Sequence, residues 1–425
     1  MKILFIACYS PLINNSASIE TLQYLNNLSK IHGNEIHLLT VNFPRNSVYY
    51  DNYIFNMLDK NIKLHIISGG YFFEKVMPKK SVKIKDNTNY IKKKVMNLFK
   101  VIKKTLAIPD IYLYWAIKAS RYAMKLCEKE NFDVMFSMHE PPSSHICAYE
   151  IKKKFKEIKW VAYWSDPWIK DSSRENINLI RRRIESNLEK KIITTTNKNV
   201  FVTKENRDDY IKTYNLKKEN TFLITRGYDA KLYEKIKKDK PPKLINKNKI
   251  NMVYAGEIFS KLRDLNPFIE SMNYLKENNK EIYNKLNILF FGNIDDDNIK
   301  NKLNEFENIT VSNRIAYNEA LSYMLNSEIL ILFGNKNSKQ IPAKIYDYFG
   351  CYGQILIILG DSNDPIYNVV NNIEKCLVVN NKYEDIVKAI KETLSRIDRK
   401  EIFNPVKEYE WENISNSLYV ILRGD

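Results

Sequence analysis

Residues 341–356 read IPAKIYDYFGCYGQIL, and this stretch decides the fold. Pro342 suits the first turn of a helix, because its ring fixes φ and it has no N–H to leave unpaired. Lys344 and Asp347 follow three residues apart, so they share one helix face. Gly350 and Gly353 end the helix, and QILIIL (354–359) reads as a buried strand. Upstream, EILILFG (328–334) reads as another. Strand, polar loop, helix start and strand together form an open α/β crevice. The free N–H groups of such a helix start can hold a phosphate.

The same alternation extends in both directions. KILFIAC (2–8), EIHLLTV (35–41), LHIIS (64–68), DVMFSM (133–138), WVAYWSD (160–166), NVFVTK (199–204) and TFLITRGYD (221–229) are the strand candidates of a first half. Helices are expected at about 18–31, 114–129, 143–155 and 175–190, which gives the β-α-β spacing of a doubly wound sheet. A Ser18 N-cap fits the first of them. EKIKKDKPPKLINKNK (234–249) has linker composition. INMVYAG (250–256) opens a second series, continued by LNILFFGN (286–293), NITVSNRI (308–315), 328–335, 354–360 and CLVVN (376–380). The end of the chain, 409–424, reads as a helix. The fold class is therefore α/β, with two Rossmann-like doubly wound domains.

Composition narrows the chemistry. A chain of 425 residues with 44% hydrophobic and 28% charged residues can build two cores and has an ordinary soluble surface. The net charge of +17 points to anionic partners: nucleic acid, an anionic membrane surface or phosphorylated small molecules. The five cysteines (Cys8, Cys127, Cys147, Cys351 and Cys376) show no C-x-x-C spacing. They imply neither a disulfide framework nor a zinc site, and a reducing cytoplasm is the simplest compartment. MKILFIACYSPL reads as a first strand rather than a signal segment, and no apolar run reaches the roughly 18 residues of a spanning helix.

Several residues stand out chemically. In YAGEIFSKLRDLNPFIESM (254–272), Gly256 permits a tight strand exit, and Lys261 and Arg263 precede a helix where an anion would meet both charge and amides. Two surface cations are the plainer alternative. Asp347 is placed to pair with Lys344 on the same helix face. In 133–168, His139 and Asp166 are polar residues beside strand ends, and Trp168 needs a partner for its indole N–H if buried. IDDDN (294–298) reads as a solvated acidic loop rather than a metal site. The segment 77–106 spaces Ile91, Val95, Leu98, Ile102 and Leu106 on one face among many lysines, the pattern of an interfacial helix.

Pro342-x-Lys344-x-x-Asp347-Tyr348 resembles the donor-binding P-x-K-x-x-E-Y segment of family 4 nucleotide-sugar glycosyltransferases of the GT-B fold. Asp347 stands at the family's Glu, Lys339 at the place of its earlier Glu, and Glu257 where an Arg usually follows Gly256. Pro141, Pro142, Ser144, His145, Trp160 and Asp166-Pro167-Trp168 resemble a P-P-x-S-x-H…W…D-P-W segment of one subgroup, and IPDIYLYW (108–115) matches its P-D-x-x-x-x-W.

The resemblance implies two Rossmann-like domains facing a central cleft. Residues 1–233 would bind the acceptor, with 408–425 returning as a last helix; 234–249 would link, and 250–407 would bind the nucleotide sugar. It implies a metal-independent, retaining transfer from a nucleoside-diphosphate sugar to a hydroxyl acceptor, without a further cofactor. The setting would be cell-envelope polysaccharide or other glycoconjugate synthesis. Lys261 and Arg263, with Lys344, would stabilise the departing diphosphate. Asp347 would hold ribose, Gly256 and Ile341 would line the donor, and Asn293 and Arg314 would lie by the base. His139 and Asp166 would face the acceptor, for which a lipid-linked molecule stays open. The protein would be cytoplasmic, and peripheral on the inner face of the membrane where 77–106 meets anionic lipid. Two other readings are a basic nucleic-acid-associated protein, for which no helix-turn-helix or RNP-like motif is present, and a non-catalytic GT-B partner subunit.

Overall fold

The computed structural model describes residues 1–79, 108–171, 174, 176–337 and 340–424. The chain divides into two compact units, Met1–Thr225 with Ser415–Asp425, and Arg226–Ile414.

The first unit is built on seven parallel strands. They are β1 (Lys2–Ile6), β2 (Glu35–Asn42), β3 (Lys63–Ser68), β4 (Val134–Met138), β5 (Lys159–Trp164), β6 (Lys198–Phe201) and β7 (Thr221–Leu223), in the order 3-2-1-4-5-6-7. Phe5 lies opposite Leu38 on one side and Phe136 on the other. The central strands are almost wholly apolar and buried, as expected of a parallel sheet covered on both faces. The strand order reverses between β1 and β4. Ligands of open α/β sheets bind at such a switch point, beyond the carboxyl ends of the strands.

The second unit repeats the plan with six strands: β8 (Ile250–Ala255), β9 (Leu286–Phe291), β10 (Ile309–Ser312), β11 (Ile329–Phe333), β12 (Gln354–Ile358) and β13 (Cys376–Val379). All pairs are parallel and the order is 10-9-8-11-12-13. Its switch point lies between β8 and β11. Residues 254–263 and 334–347 leave from those two strands.

Four details differ from the sequence reading. The first helix runs Ser16–Lys30 and its cap is Asn15, whose Oδ1 accepts from the Ser18 N–H at 2.7 Å. The helix expected over 175–190 runs Leu179–Thr195, capped by Asn178. The helix expected from Pro342 starts at Lys344 and lasts six residues. The Ile345 and Tyr346 N–H groups already donate to the Pro342 and Ala343 carbonyls (3.1 and 3.2 Å), so this tight first turn uses amides that a phosphate was expected to meet. Finally, residues 226–233 belong to the second unit, not the first. Tyr228 exchanges backbone hydrogen bonds with Tyr409 and Trp411 there (2.8 and 3.0 Å), and Ala230–Lys237 is a helix that takes the first residues of the expected linker. The last helix, Trp411–Arg423, begins in the second unit and belongs to the first from Ser415 onward.

The exits of β8 and β9 touch closely. Gly292 has φ +133, and a Cβ there would lie 2.0 Å from the Gly256 carbonyl oxygen. Gly292→Ala therefore meets both backbone strain and a clash with main chain. It should destabilise the second unit by about 3 kcal/mol, read as a lowered thermal midpoint. An unchanged midpoint would contradict the packing described.

Candidate functional site

The second unit gathers positive charge at its switch point. Tyr254, on β8, is buried, and its hydroxyl donates to the Glu257 carbonyl at 3.0 Å. Arg263 reaches back to the same place. Its Nη1 donates to the Tyr254 hydroxyl (3.1 Å) and the Glu257 carbonyl (2.5 Å), and its Nε donates to Asn335 Oδ1 (3.1 Å). Nη2 makes no hydrogen bond among the described residues. All the partners are neutral, so the guanidinium is fixed in place without a carboxylate to cancel its charge.

Asn335 follows β11 and is buried. Its Nδ2 donates to the Gln340 carbonyl at 3.1 Å, and the Lys336 N–H donates to the Leu262 carbonyl at 2.8 Å. The loop after β11 is thus tied to the turn that carries Arg263.

Lys344 lies beside this cluster: a Cβ on Gly256 would be 3.3 Å from the Tyr254 hydroxyl and 3.7 Å from Lys344 Cγ. Lys344 Nζ pairs with Asp347 Oδ2 at 3.0 Å, while Tyr233 donates to Asp347 Oδ1 at 3.2 Å. The Lys344–Asp347 pairing, the alternative to a ribose contact, is therefore present. Both side chains remain partly exposed, at 27% and 18%, which leaves the pair accessible for exchange with a ligand.

The remaining expected residues surround this core less tightly. Lys261 is exposed on the turn before Arg263 and makes no ion pair among the described residues. Arg314, just past β10, sits 3.5 Å from the Glu257 carboxylate. Asn293 is exposed, and its carbonyl accepts from the Ile258 N–H at 2.9 Å. Ile341 is half-buried at the end of the 334–341 loop, and Lys339 lies outside the described residues. The acidic run 295–297 does local work. Asp295 accepts from the Ser260 N–H, and Asp296 caps the helix Asp297–Asn304.

In the first unit most of the expected motif is scaffold. Trp160 Nε1 donates to Ser137 Oγ, which lies 2.8 Å from His145 Nδ1, and Ser144 Oγ accepts from the Cys8 N–H. Trp168 is fully buried. Its indole N–H donates to Glu185 at 2.7 Å, and that carboxylate also takes Arg174 and Arg181. Asp166 is half-buried just past β5.

His139 is different. It follows β4 at the carboxyl edge, is 3% exposed, and neither ring nitrogen has a hydrogen-bond partner among the described residues. Its ring lies 5.7 Å from His145 and 5.9 Å from Trp164. Burial, then the His145 and Arg174 charges, hold it neutral well below the usual imidazole range. Burial likewise pushes His145 down to about 3.

One acidic group lies elsewhere. Glu35, His37 and Glu130 bring ligand atoms within 4.8 Å of one another, but near the amino ends of the strands, where Lys2 and Lys63 already pair with the carboxylates at 2.5 and 2.7 Å.

Tyr233, Tyr254 and Asn335 were not singled out in the sequence. Tyr254 sits inside an apolar strand and resembles any core aromatic. Asn335 carried one signal, a polar residue directly after a buried strand and a glycine.

No protein-family model matches the chain, and no curated protein sequence matches it. Solved structures do match. Sucrose-phosphate synthase from Thermosynechococcus elongatus superposes with TM-score 0.61 at 12% identity, over 100% of this chain and 98% of that one. WaaG, a glycosyltransferase involved in lipopolysaccharide biosynthesis, gives TM-score 0.58 at 10% identity over 100% of both chains. The fold is GT-B. UDP-GlcNAc 2-epimerase from Methanocaldococcus jannaschii shares it, with TM-score 0.59 at 12% identity over 100% of both chains. At such identity the likeness to these GT-B proteins is one of fold.

The buried histidines give a pH signature. Their folded pKa values lie below the unfolded value of about 6.5, so as pH falls below that value the unfolded chain takes up protons that the folded chain does not. From pH 7 to pH 5 the first unit should lose about 2 kcal/mol per histidine. Four of the five tryptophans (Trp115, Trp160, Trp164 and Trp168) lie in this unit, so urea unfolding followed by their fluorescence reads it directly. His145→Asn should flatten the pH dependence. An equally steep loss in that variant would contradict the assignment.

Proposed function

We propose that this protein is a glycosyltransferase that moves a sugar from a nucleoside-diphosphate sugar to a hydroxyl acceptor. The observation that carries the reading is Arg263, a guanidinium fixed by neutral oxygens at the β8–β11 switch point, next to Lys344. A diphosphate leaving group gains negative charge as the glycosidic bond breaks. Preorganised cations at that position stabilise the charge where it develops. Arg263 takes this role through its open Nη2, and Lys344 joins it by exchanging Asp347 for phosphate. The freed Asp347 carboxylate then accepts from ribose hydroxyls. Lys261 adds charge at the rim, Gly256 and Ile341 line the donor, and Asn293 and Arg314 lie by the base.

The acceptor side is proposed for the first unit. Neutral His139 carries one N–H and one bare ring nitrogen, either of which suits a hydroxyl, and Asp166 is the second polar group proposed for that side. With charge supplied by side chains and no carboxylate nucleophile required, the transfer is proposed to be retaining and to need neither a metal nor a further cofactor. A cytoplasmic setting, a lipid-linked acceptor and a role in cell-envelope glycoconjugate synthesis fit the basic segment 77–106 if it meets an anionic membrane surface. Residues 80–107 lie outside the described residues, and no described helix is long and apolar enough to cross a membrane.

Turnover of a panel of nucleoside-diphosphate sugars, with and without hydroxyl acceptors, tests this. Arg263→Ala should lower kcat/KM by about 10²–10³-fold, the cost of one transition-state charge stabiliser. Asp347→Ala should raise donor KM more than it lowers kcat, because ribose contacts change little between ground and transition states. EDTA should leave the rate unchanged. Acceptor-independent isomerisation of the donor sugar would instead assign the epimerase chemistry of a fold neighbour. A chain that is inert with every donor and acceptor would be a partner subunit.

A further inference from the structure

The residue that aims Asp347 comes from outside the strand–helix series of the second unit. Tyr233 lies on the helix Ala230–Lys237, which precedes β8, and its side chain is 97% out of solvent contact, at 3% exposure. Its hydroxyl donates to Asp347 Oδ1 at 3.2 Å. The approach depends on a missing side chain. A Cβ on Gly350, at the end of the helix Lys344–Phe349, would lie 2.7 Å from the Tyr233 ring and 2.4 Å from the Tyr228 ring. The two tyrosine rings also pack on each other, with centroids 5.6 Å apart. Tyr233 is thereby wedged against the end of the very helix that carries Asp347.

The two carboxylate oxygens of Asp347 are divided between two kinds of partner. Oδ2 is held by Lys344, an ionic contact that a phosphate can replace. Oδ1 is held by the hydroxyl of a buried tyrosine. Burial and the Asp347 charge keep this hydroxyl protonated, so it stays a donor.

From this geometry we infer that Tyr233 is a positioning residue for the nucleoside half of the donor. It holds Asp347 in one rotamer when Lys344 turns to the phosphates, so that both ribose hydroxyls meet a preset carboxylate. The inference rests on the donor site proposed above and adds the group that sets its nucleoside affinity.

The test is calorimetric titration of the whole chain with UDP, GDP and dTDP, and separately with inorganic pyrophosphate. Tyr233→Phe removes one oxygen and keeps the ring against Gly350. It should weaken binding of the preferred nucleoside diphosphate by about tenfold, the worth of a hydrogen bond to a charged group. Pyrophosphate affinity should not change, and the thermal midpoint should fall only by the few degrees that one lost buried hydrogen bond costs. In an Asp347→Ala background the same substitution should have no further effect on nucleotide binding, a result that a merely structural tyrosine would not give. Wild-type nucleotide affinity in Tyr233→Phe, or an equal loss for pyrophosphate, would overturn the positioning role and leave the donor site standing. A wild-type chain that binds none of the nucleotides would overturn the donor site itself, and the inference with it.

Discussion

A guanidinium held by neutral oxygens keeps its whole charge, and the candidate site depends on that arrangement. Arg263 uses Nε and Nη1 for Asn335, Tyr254 and the Glu257 carbonyl. Had one partner been a carboxylate, the site would be close to neutral and would offer an anion little. Neutral acceptors fix direction without cancelling field. The same contacts join three pieces of chain, namely the end of β8, the turn at 257–263 and the loop after β11. Orientation of the cation and closure of the crevice are therefore one interaction set.

Around this point the unit treats its other charges differently. Lys344 and Asp347 neutralise each other, and Glu257 meets Arg314. Both pairs are partly exposed, so each is worth little as a source of stability, and ligand groups can exchange into them at low cost. The first unit has the reverse economy. Glu185 is fully buried among Arg174, Arg181 and the Trp168 indole N–H. Removing one member of such a network leaves a buried charge unpaired, and that is costly. Conformational freedom is thus placed where a donor would enter, and rigidity under the sheet that carries His139.

Much of the fold was legible in the chain. Parallel strands buried on both faces must be apolar along their whole length, and KILFI, ILILF and QILII announce themselves for that reason. Arg263 and Lys344 could be singled out as candidates because each lies on a segment that leaves a strand of the second unit, 254–263 after β8 and 334–347 after β11. Their support could not be. Asn335 and Arg263 are 72 positions apart, and Tyr233 and Asp347 are 114 apart, so no local pattern relates them. The P-P-x-S-x-H…W…D-P-W stretch shows the converse: residue types alone do not separate a core network from a site. Ser144, Trp160 and Trp168 use their polar atoms inside the first unit, and His145 uses Nδ1 there while its Nε2 has no partner among the described residues. A buried aromatic or serine must satisfy its polar atom somewhere, and a core network fixes those residue types as firmly as a ligand would. The boundary near 230 was misplaced because a Lys-rich amphipathic helix has the composition of a linker until its apolar face, Leu232, Tyr233 and Ile236, is seen buried.

The central claim is that the β8–β11 switch point of the second unit holds the diphosphate of a nucleotide sugar. A crystal structure of the protein grown with a nucleoside diphosphate tests it most directly. The account predicts phosphate oxygens within hydrogen-bond distance of Arg263 Nη2, Lys344 turned from Asp347 to the phosphates, and ribose hydroxyls on the Asp347 carboxylate. A nucleotide seated elsewhere, with Arg263 unengaged and the Lys344–Asp347 pair intact, would contradict it.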